Sequence, residues 1–300
     1  MALRTGLATD TAAGRFADAI KRTEEAFRRC FMSRDRQAGA KRAAQIVANA
    51  GVDALREIHV PPPDIVIKVL SSVSSDKNTL YTAGSFSPYS WKIELPIELA
   101  HSIYSQLGID DMAQMHHGKL RDDPKQIVRH VMASYAATVI HECRHCEQVH
   151  RVAKYAFTLG IKERKQWNPA SNPDGFIDFY LKTFADRSKS WRNPVAPPGR
   201  PGINGILLQH FGGPKQLPLN PDERAEAVAW YHSMYGDQSA SEQAKRGTSD
   251  LKTYKSIPEE ADAYDVQKFV ENILYVDWKL DWDEKDKYQL AHLNLADAAK

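Results

Sequence analysis

The chain has 300 residues, 42% of them hydrophobic, which is enough to bury a core and too much for a disordered polymer. Its 40 Lys and Arg against 38 Asp and Glu leave it near neutrality, so nothing in the charge balance points to a nucleic-acid partner and none is expected. No apolar run approaches the ~18–20 residues of a membrane span, no signal-like apolar region opens the chain, and three cysteines cannot make a disulfide framework. A cytoplasmic protein, or one secreted without a cleavable leader, is the expectation.

Residues 12–50 read as one or two helices, with Phe16, Ile20, Phe27 and Phe31 at helical spacing and Gly51 as the stop. Three prolines at 61–63 end that pattern, and the β-branched run at 65–70 predicts a strand. In residues 80–95 two extended runs flank Ser87-Pro88-Tyr89-Ser90, the composition of a hairpin turn. Pro96 opens a short helix to about Leu107, and residues 108–123 are polar and irregular.

Pro124 then starts the longest helical pattern, ending at Gly160, with Ile127, Val131, Tyr135, Ala136, Val139 and Ile140 as its apolar side. Residues 161–221 read as a loop-rich insert with short helical candidates at 176–184 and 203–211. Asn220-Pro221-Asp222 starts a further helix, residues 237–252 form a polar linker, and Pro258-Glu259-Glu260 opens a last clear helix to Leu274. The expected architecture is α+β in one domain over 1–300, with a helical N-terminal segment at 1–55, a small sheet with a hairpin, a long central helix and a later acidic helix.

The chemistry sits on the long helix, where His141-Glu142-Cys143-Arg144-His145 forms H-E-x-x-H. Residues four apart on a helix lie one turn above each other, so both imidazoles can face one ion, and Zn2+ accepts such nitrogens at ~2.0–2.1 Å. Glu142, one residue after the first histidine, projects beside the metal and can take a proton from the water activated there. With 11 His and 15 Glu, a shuffled chain would carry the pattern only about 0.02 times.

Residues 141–145 resemble the active-site helix of the zincin superfamily of metallopeptidases, and the order hairpin, H-E-x-x-H helix, later acidic helix is similar too. The general look of the chain resembles a bacterial toxin or effector peptidase. The resemblance implies hydrolysis of peptide bonds in a protein or peptide substrate, one bound zinc, and a sheet whose edge strand, within 81–95, pairs with substrate backbone beside the helix.

Three protein ligands and an open position are the rule for catalytic zinc. Metzincins place a third His six residues after the second. Here His150 follows by five with no glycine between, and ~500° of helical rotation turns it away, so it reads as a polar surface or interface histidine. Gluzincins instead use a Glu on a later helix with a nearby Ala. Glu260 with Ala263 fits that form and is the expected third ligand, with Glu259, Glu226 and Glu223 as rivals. Asp262 and Asp265 could hold a ligating histidine in its tautomer. Tyr231, His232, Tyr254 and Tyr264 are the candidate donors to a developing oxyanion. Cys143 and Cys146 read as small packing residues. Gln148 either lines the cleft or faces solvent.

Two other classes remain open. A di-iron carboxylate protein would use the E-x-x-H pairs Glu98/His101, Glu142/His145 and Glu147/His150. A non-catalytic metal-binding or interaction protein would need no open coordination position.

Overall fold

The computed structural model describes residues 5–33, 35–69, 84–87, 91–107, 122–163, 219–235 and 251–283. The expected helices at 176–184 and 203–211, most of the insert around them, and the hairpin turn itself lie outside these residues. The described part is mixed α+β, mostly helical, with one three-stranded sheet.

A 3-10 turn at Gly6–Ala8 leads into α1 (Asp10–Cys30) and α2 (Arg36–Glu57). Each of the two helices starts where a short polar side chain can satisfy an orphan amide: Thr9 Oγ1 accepts from Ala12 N at 3.2 Å, and Asp35 Oδ1 accepts from Ala38 N at 2.9 Å. Gly51 was expected to stop α2 and does not. It lies inside the helix at a close crossing, where an added Cβ would come 2.6 Å from Val139 Cγ1 and 2.8 Å from Cys143 Sγ. The residue that resembles a helix stop is the one that lets α2 lie against the central helix. Gly51→Val should therefore destabilise the fold by about 1–3 kcal/mol through overpacking, and a denaturant midpoint equal to that of the parent would refute the crossing.

The sheet has the order β1-β3-β2, with β1 (Asp64–Lys68) parallel to β3 (Lys92–Pro96) and β2 (Ser85–Ser87) antiparallel to it on the edge. The expected hairpin pairs Phe86 with Ile93. Ile67, Ile93 and Leu95 turn into the core. Two short helices, α3 (Glu98–His101) and α4 (Ile103–Gln106), follow at once.

The central helix α5 runs Asp122–Glu163, so Pro124 falls in its first turn as expected. It does not stop at Gly160. One glycine costs a helix only ~1 kcal/mol, and no proline follows before Pro169. From Tyr135 to His150 every residue except His145 is buried, well beyond the one apolar side anticipated. Neighbours on all sides produce this: α1 and α2, the sheet, α6 (Pro221–Tyr235) and α8 (Pro258–Trp278), with α8 making the most extensive contact. Tyr135 ties the helix to the sheet by donating to Pro96 O at 3.2 Å.

Helix α6 opens on a reciprocal capping box, Glu223 N to Asn220 Oδ1 at 2.9 Å and Asn220 N to Glu223 Oε2 at 3.0 Å. The short α7 (Leu251–Tyr254) precedes α8, which has Pro258 in its first turn. Helix α8 continues four residues past the expected Leu274 and ends where Lys279 takes the left-handed conformation, φ 55°. The buried apolar residues of α1 to α5, the sheet, α6 and α8 form one cluster. Among the described residues no helix is long and apolar enough to cross a membrane.

Candidate metal centre

α5 and α8 bring His141, His145 and Glu260 to one point, with one ligand-type atom from each inside a 4.8 Å group. His141 Nε2 and His145 Nε2 stand 3.1 Å apart, and Glu260 Oε2 lies 3.6 Å from the first and 3.5 Å from the second. Ligand atoms of a tetrahedral zinc with ~2.0–2.1 Å bonds stand ~3.3 Å from one another. The donor set, two imidazole nitrogens and a carboxylate oxygen, is also the chemistry zinc takes. Glu260 Oε2 is buried and makes no hydrogen bond, with only the two imidazole nitrogens facing it at 3.5–3.6 Å, an arrangement a cation between them can complete. The residues fit a divalent ion.

The electrostatics agree. Burial works against a carboxylate at 260, yet the facing histidines outweigh it and hold Glu260 well below the usual carboxylate range. Burial likewise works against a charged His145, yet Glu260 and Glu142 raise it to about 9. In the metal-free protein this is an ion pair, and a divalent cation competes with its proton.

Glu142 stays outside the ligand group and is 6% exposed. Burial pushes its carboxyl above the ordinary range, against the pull of His141 and His145. The amide of Phe86, on the edge strand β2, donates to it. Gly84, just before that strand, passes so near that a Cβ would meet Glu142 Cγ at 3.0 Å and Thr138 Cγ2 at 3.1 Å. The edge strand thus lies directly over the carboxylate, beside the histidine pair.

The rival carboxylates are engaged elsewhere. Glu259 is buried and accepts from Ser233 Oγ at 2.7 Å. Glu223 closes the capping box of α6. Glu226 meets Arg151 Nη1 at 2.9 Å and bonds the Thr5 hydroxyl. The expected E-x-x-A form on α8 is Glu260 with Ala263 fully buried against the core.

Some expectations need correction. His150 is not a surface histidine; it is 3% exposed, on a helix with packed neighbours on all sides. Asp262 does not hold a histidine itself. It takes Arg144 Nε at 2.7 Å and Nη2 at 3.1 Å, and Gln148 Nε2 at 2.7 Å. Gln148 in turn meets His145 Nδ1 at 2.8 Å. Cys143 and Cys146 are buried free thiols whose pKa burial raises, in keeping with a packing role. Tyr254 bonds Glu260, and the Tyr264 ring lies 4.6 Å from that of His141, whereas Tyr231 packs on Tyr155 and His232 is exposed. Of the three E-x-x-H pairs, only Glu142/His145 lies at a metal-type group among the described residues. Glu147 is instead tied to Arg144 and Arg151.

Sequence reasoning missed Arg144. It is fully buried and bonds Glu147 Oε2 at 2.6 Å, Thr5 O at 3.0 Å and both oxygens of Asp262, with its guanidinium 5.0 Å over the Trp230 ring. Leu7 N donates to the same Glu147 at 3.1 Å, which docks the N-terminal turn on α5. The signal was the stripe Arg144, Glu147, Arg151 at helical spacing, a pattern that usually marks a solvated face.

Comparison of the chain with protein-family models, with curated proteins and with solved structures gives no match in any of the three.

Proposed function

We propose that this chain is a zinc-dependent hydrolase of peptide bonds, a zincin of the gluzincin type, with His141, His145 and Glu260 as ligands and Glu142 as general base. The observation that carries the reading is the meeting of Glu260 with the histidine pair at zinc-ligand spacing, from a helix 115 residues further along the chain. When bound, zinc supplies a Lewis acid that polarises a carbonyl and lowers the pKa of water to ~7.

The chain's own residues do the rest. Glu142, desolvated and oriented by the Phe86 amide, accepts the proton of the attacking water and hands it to the leaving amine. Tyr254, which bonds Glu260, and Tyr264, whose ring rests against His141, are the hydroxyl donors assigned to the site. Burial pushes Tyr264 up to about 12 and Tyr254 higher still, so both keep their protons and can donate to a developing oxyanion. Strand β2, on the sheet edge above Glu142, supplies the backbone against which an extended peptide would lie.

The test is elemental analysis of the purified protein, with and without chelator, followed by hydrolysis of a mixed peptide library. One zinc per chain and chelator-sensitive cleavage are expected. His141→Ala, His145→Ala and Glu260→Ala should each weaken zinc binding by more than the ~10–100-fold that loss of an outer hydrogen-bond partner costs. Glu223→Ala should keep one zinc per chain. Zinc retained in Glu260→Ala but lost in Glu223→Ala would reverse the ligand assignment. Tight zinc with no cleavage of any peptide would instead favour a non-catalytic metal-binding protein.

A further inference from the structure

The two histidines are held in different ways. Nδ1 of His141 has no hydrogen-bond partner among the described residues, and its ring rests against Tyr264 and His145 at 4.6 and 4.7 Å. His145 is gripped by Gln148, a fully buried side chain one turn further along α5. On the zinc reading above, we propose that Gln148 is the positioning residue of the metal centre: its amide fixes which nitrogen of His145 carries the proton and aims the other at the ion.

The inventory of protons around Gln148 fixes its orientation. Gln148 Nε2 lies 2.8 Å from Glu259 O and 2.7 Å from Asp262 Oδ2. Both are acceptors. The first is a peptide carbonyl, and the oxygens of Asp262 already receive two N–H groups of Arg144, at 2.7 and 3.1 Å. An amide nitrogen has two protons to give, and both are used here. A flipped amide would set its oxygen against two acceptors with no proton between them. Oε1 therefore faces His145 Nδ1 at 2.8 Å. That oxygen can only accept, so Nδ1 is the N–H of the ring. A metal that displaces the second proton of the charged ring leaves this one N–H in place, and the lone pair is then on Nε2, the atom that faces His141 and Glu260.

The same inventory explains why an amide stands where a carboxylate would be the commoner partner of a metal-bound histidine. A Glu at 148 could accept from Nδ1 but would bring a second anion against Asp262 and Glu259 O with nothing to donate. The order runs Arg144 to Asp262 to Gln148 to His145, and each member fixes the orientation of the next.

Three measurements test this. Gln148→Met keeps length and removes both polar ends. Competition with a chromophoric chelator should show zinc affinity reduced about 10–100-fold. The visible bands of the cobalt(II)-substituted variant should also shift, a signature that a general loss of stability does not move. In the zinc-loaded wild-type protein, which needs no variant to fold, nitrogen-15 NMR should find His145 Nδ1 protonated and that proton slow to exchange. Unchanged zinc affinity and cobalt bands in folded Gln148→Met would overturn the proposal, as would an unprotonated or freely exchanging Nδ1 in the wild type. A wild-type protein that takes up no zinc sinks the positioning role along with the metal reading. A protected Nδ1 proton in that case would place the failure with the metal and not with the Gln148 contact.

Discussion

Glu142→Gln is expected to lower peptide hydrolysis by roughly 10²–10⁴ while zinc stays at one per chain. The two outcomes separate because Glu142 lies outside the ligand group and stands next to it. The substitution is isosteric, so the tight passage of Gly84 over this side chain is preserved. The new amide keeps an oxygen that can accept from Phe86 N, so the edge strand keeps its contact. What it loses is basicity, since an amide oxygen cannot take the proton of the attacking water at any working pH. Steady-state cleavage of the best library peptide, with metal content measured on the same samples, is the check. Undiminished turnover would assign the proton transfer to another group.

Arg144→Ala should be the most destabilising single change in the neighbourhood, by about 3–5 kcal/mol. The guanidinium has no exposed surface and is shared by Glu147, Asp262 and the Thr5 carbonyl, with Glu226 at 3.6 Å. Burial alone would favour its neutral form, but the surrounding carboxylates hold it firmly charged. Removing it leaves several acids facing one another out of water, and that cost exceeds the worth of any single pair. An exposed pair such as Arg15–Glu57, with side chains 55% and 52% accessible, gives the contrast. Arg15→Ala should shift stability by less than about 1 kcal/mol. Urea midpoints of the two variants decide the matter, and equal midpoints would mean that the buried network carries no stability.

Much of the site was legible because its signals are local. H-E-x-x-H needs only the helical repeat to be read as a shared face, and Pro258 and Asn220 mark their helices with residues that suit a first turn. Glu260 was legible in a weaker sense. Its small neighbours, Ala261 and Ala263, permitted a close crossing, but only the packing of α8 on α5 separates it from Glu259, one residue away and turned toward Ser233. Where the reading went astray, a residue had two physical uses and local sequence shows one. A glycine ends helices and also admits close neighbours, and Gly51 does the second. A charged stripe covers solvated faces and can also line a buried ionic seam, as Arg144, Glu147 and Arg151 do. His150 and Gln148 look like ordinary polar residues until the neighbouring elements close over them, α8 over Gln148. The choice in each case depends on partners more than 50 residues away.

The three proposed ligands straddle the chain, and this bears on the order in which the protein can be made. His141 and His145 emerge from synthesis more than 100 residues before Glu260. At ~5–20 residues per second, the interval is roughly 6–23 s. During it the histidine pair exists without its carboxylate, and Arg144 without Asp262. The N-terminal turn at Thr5 and Leu7 is already synthesised and can engage Arg144 and Glu147 early. The last partner to arrive is α8, whose docking closes a loop of over 100 residues and is a slow, non-local step. On the zinc reading, metal loading is thereby tied to completion of the fold, and a nascent chain halted before residue 260 carries the motif without the carboxylate of the third ligand.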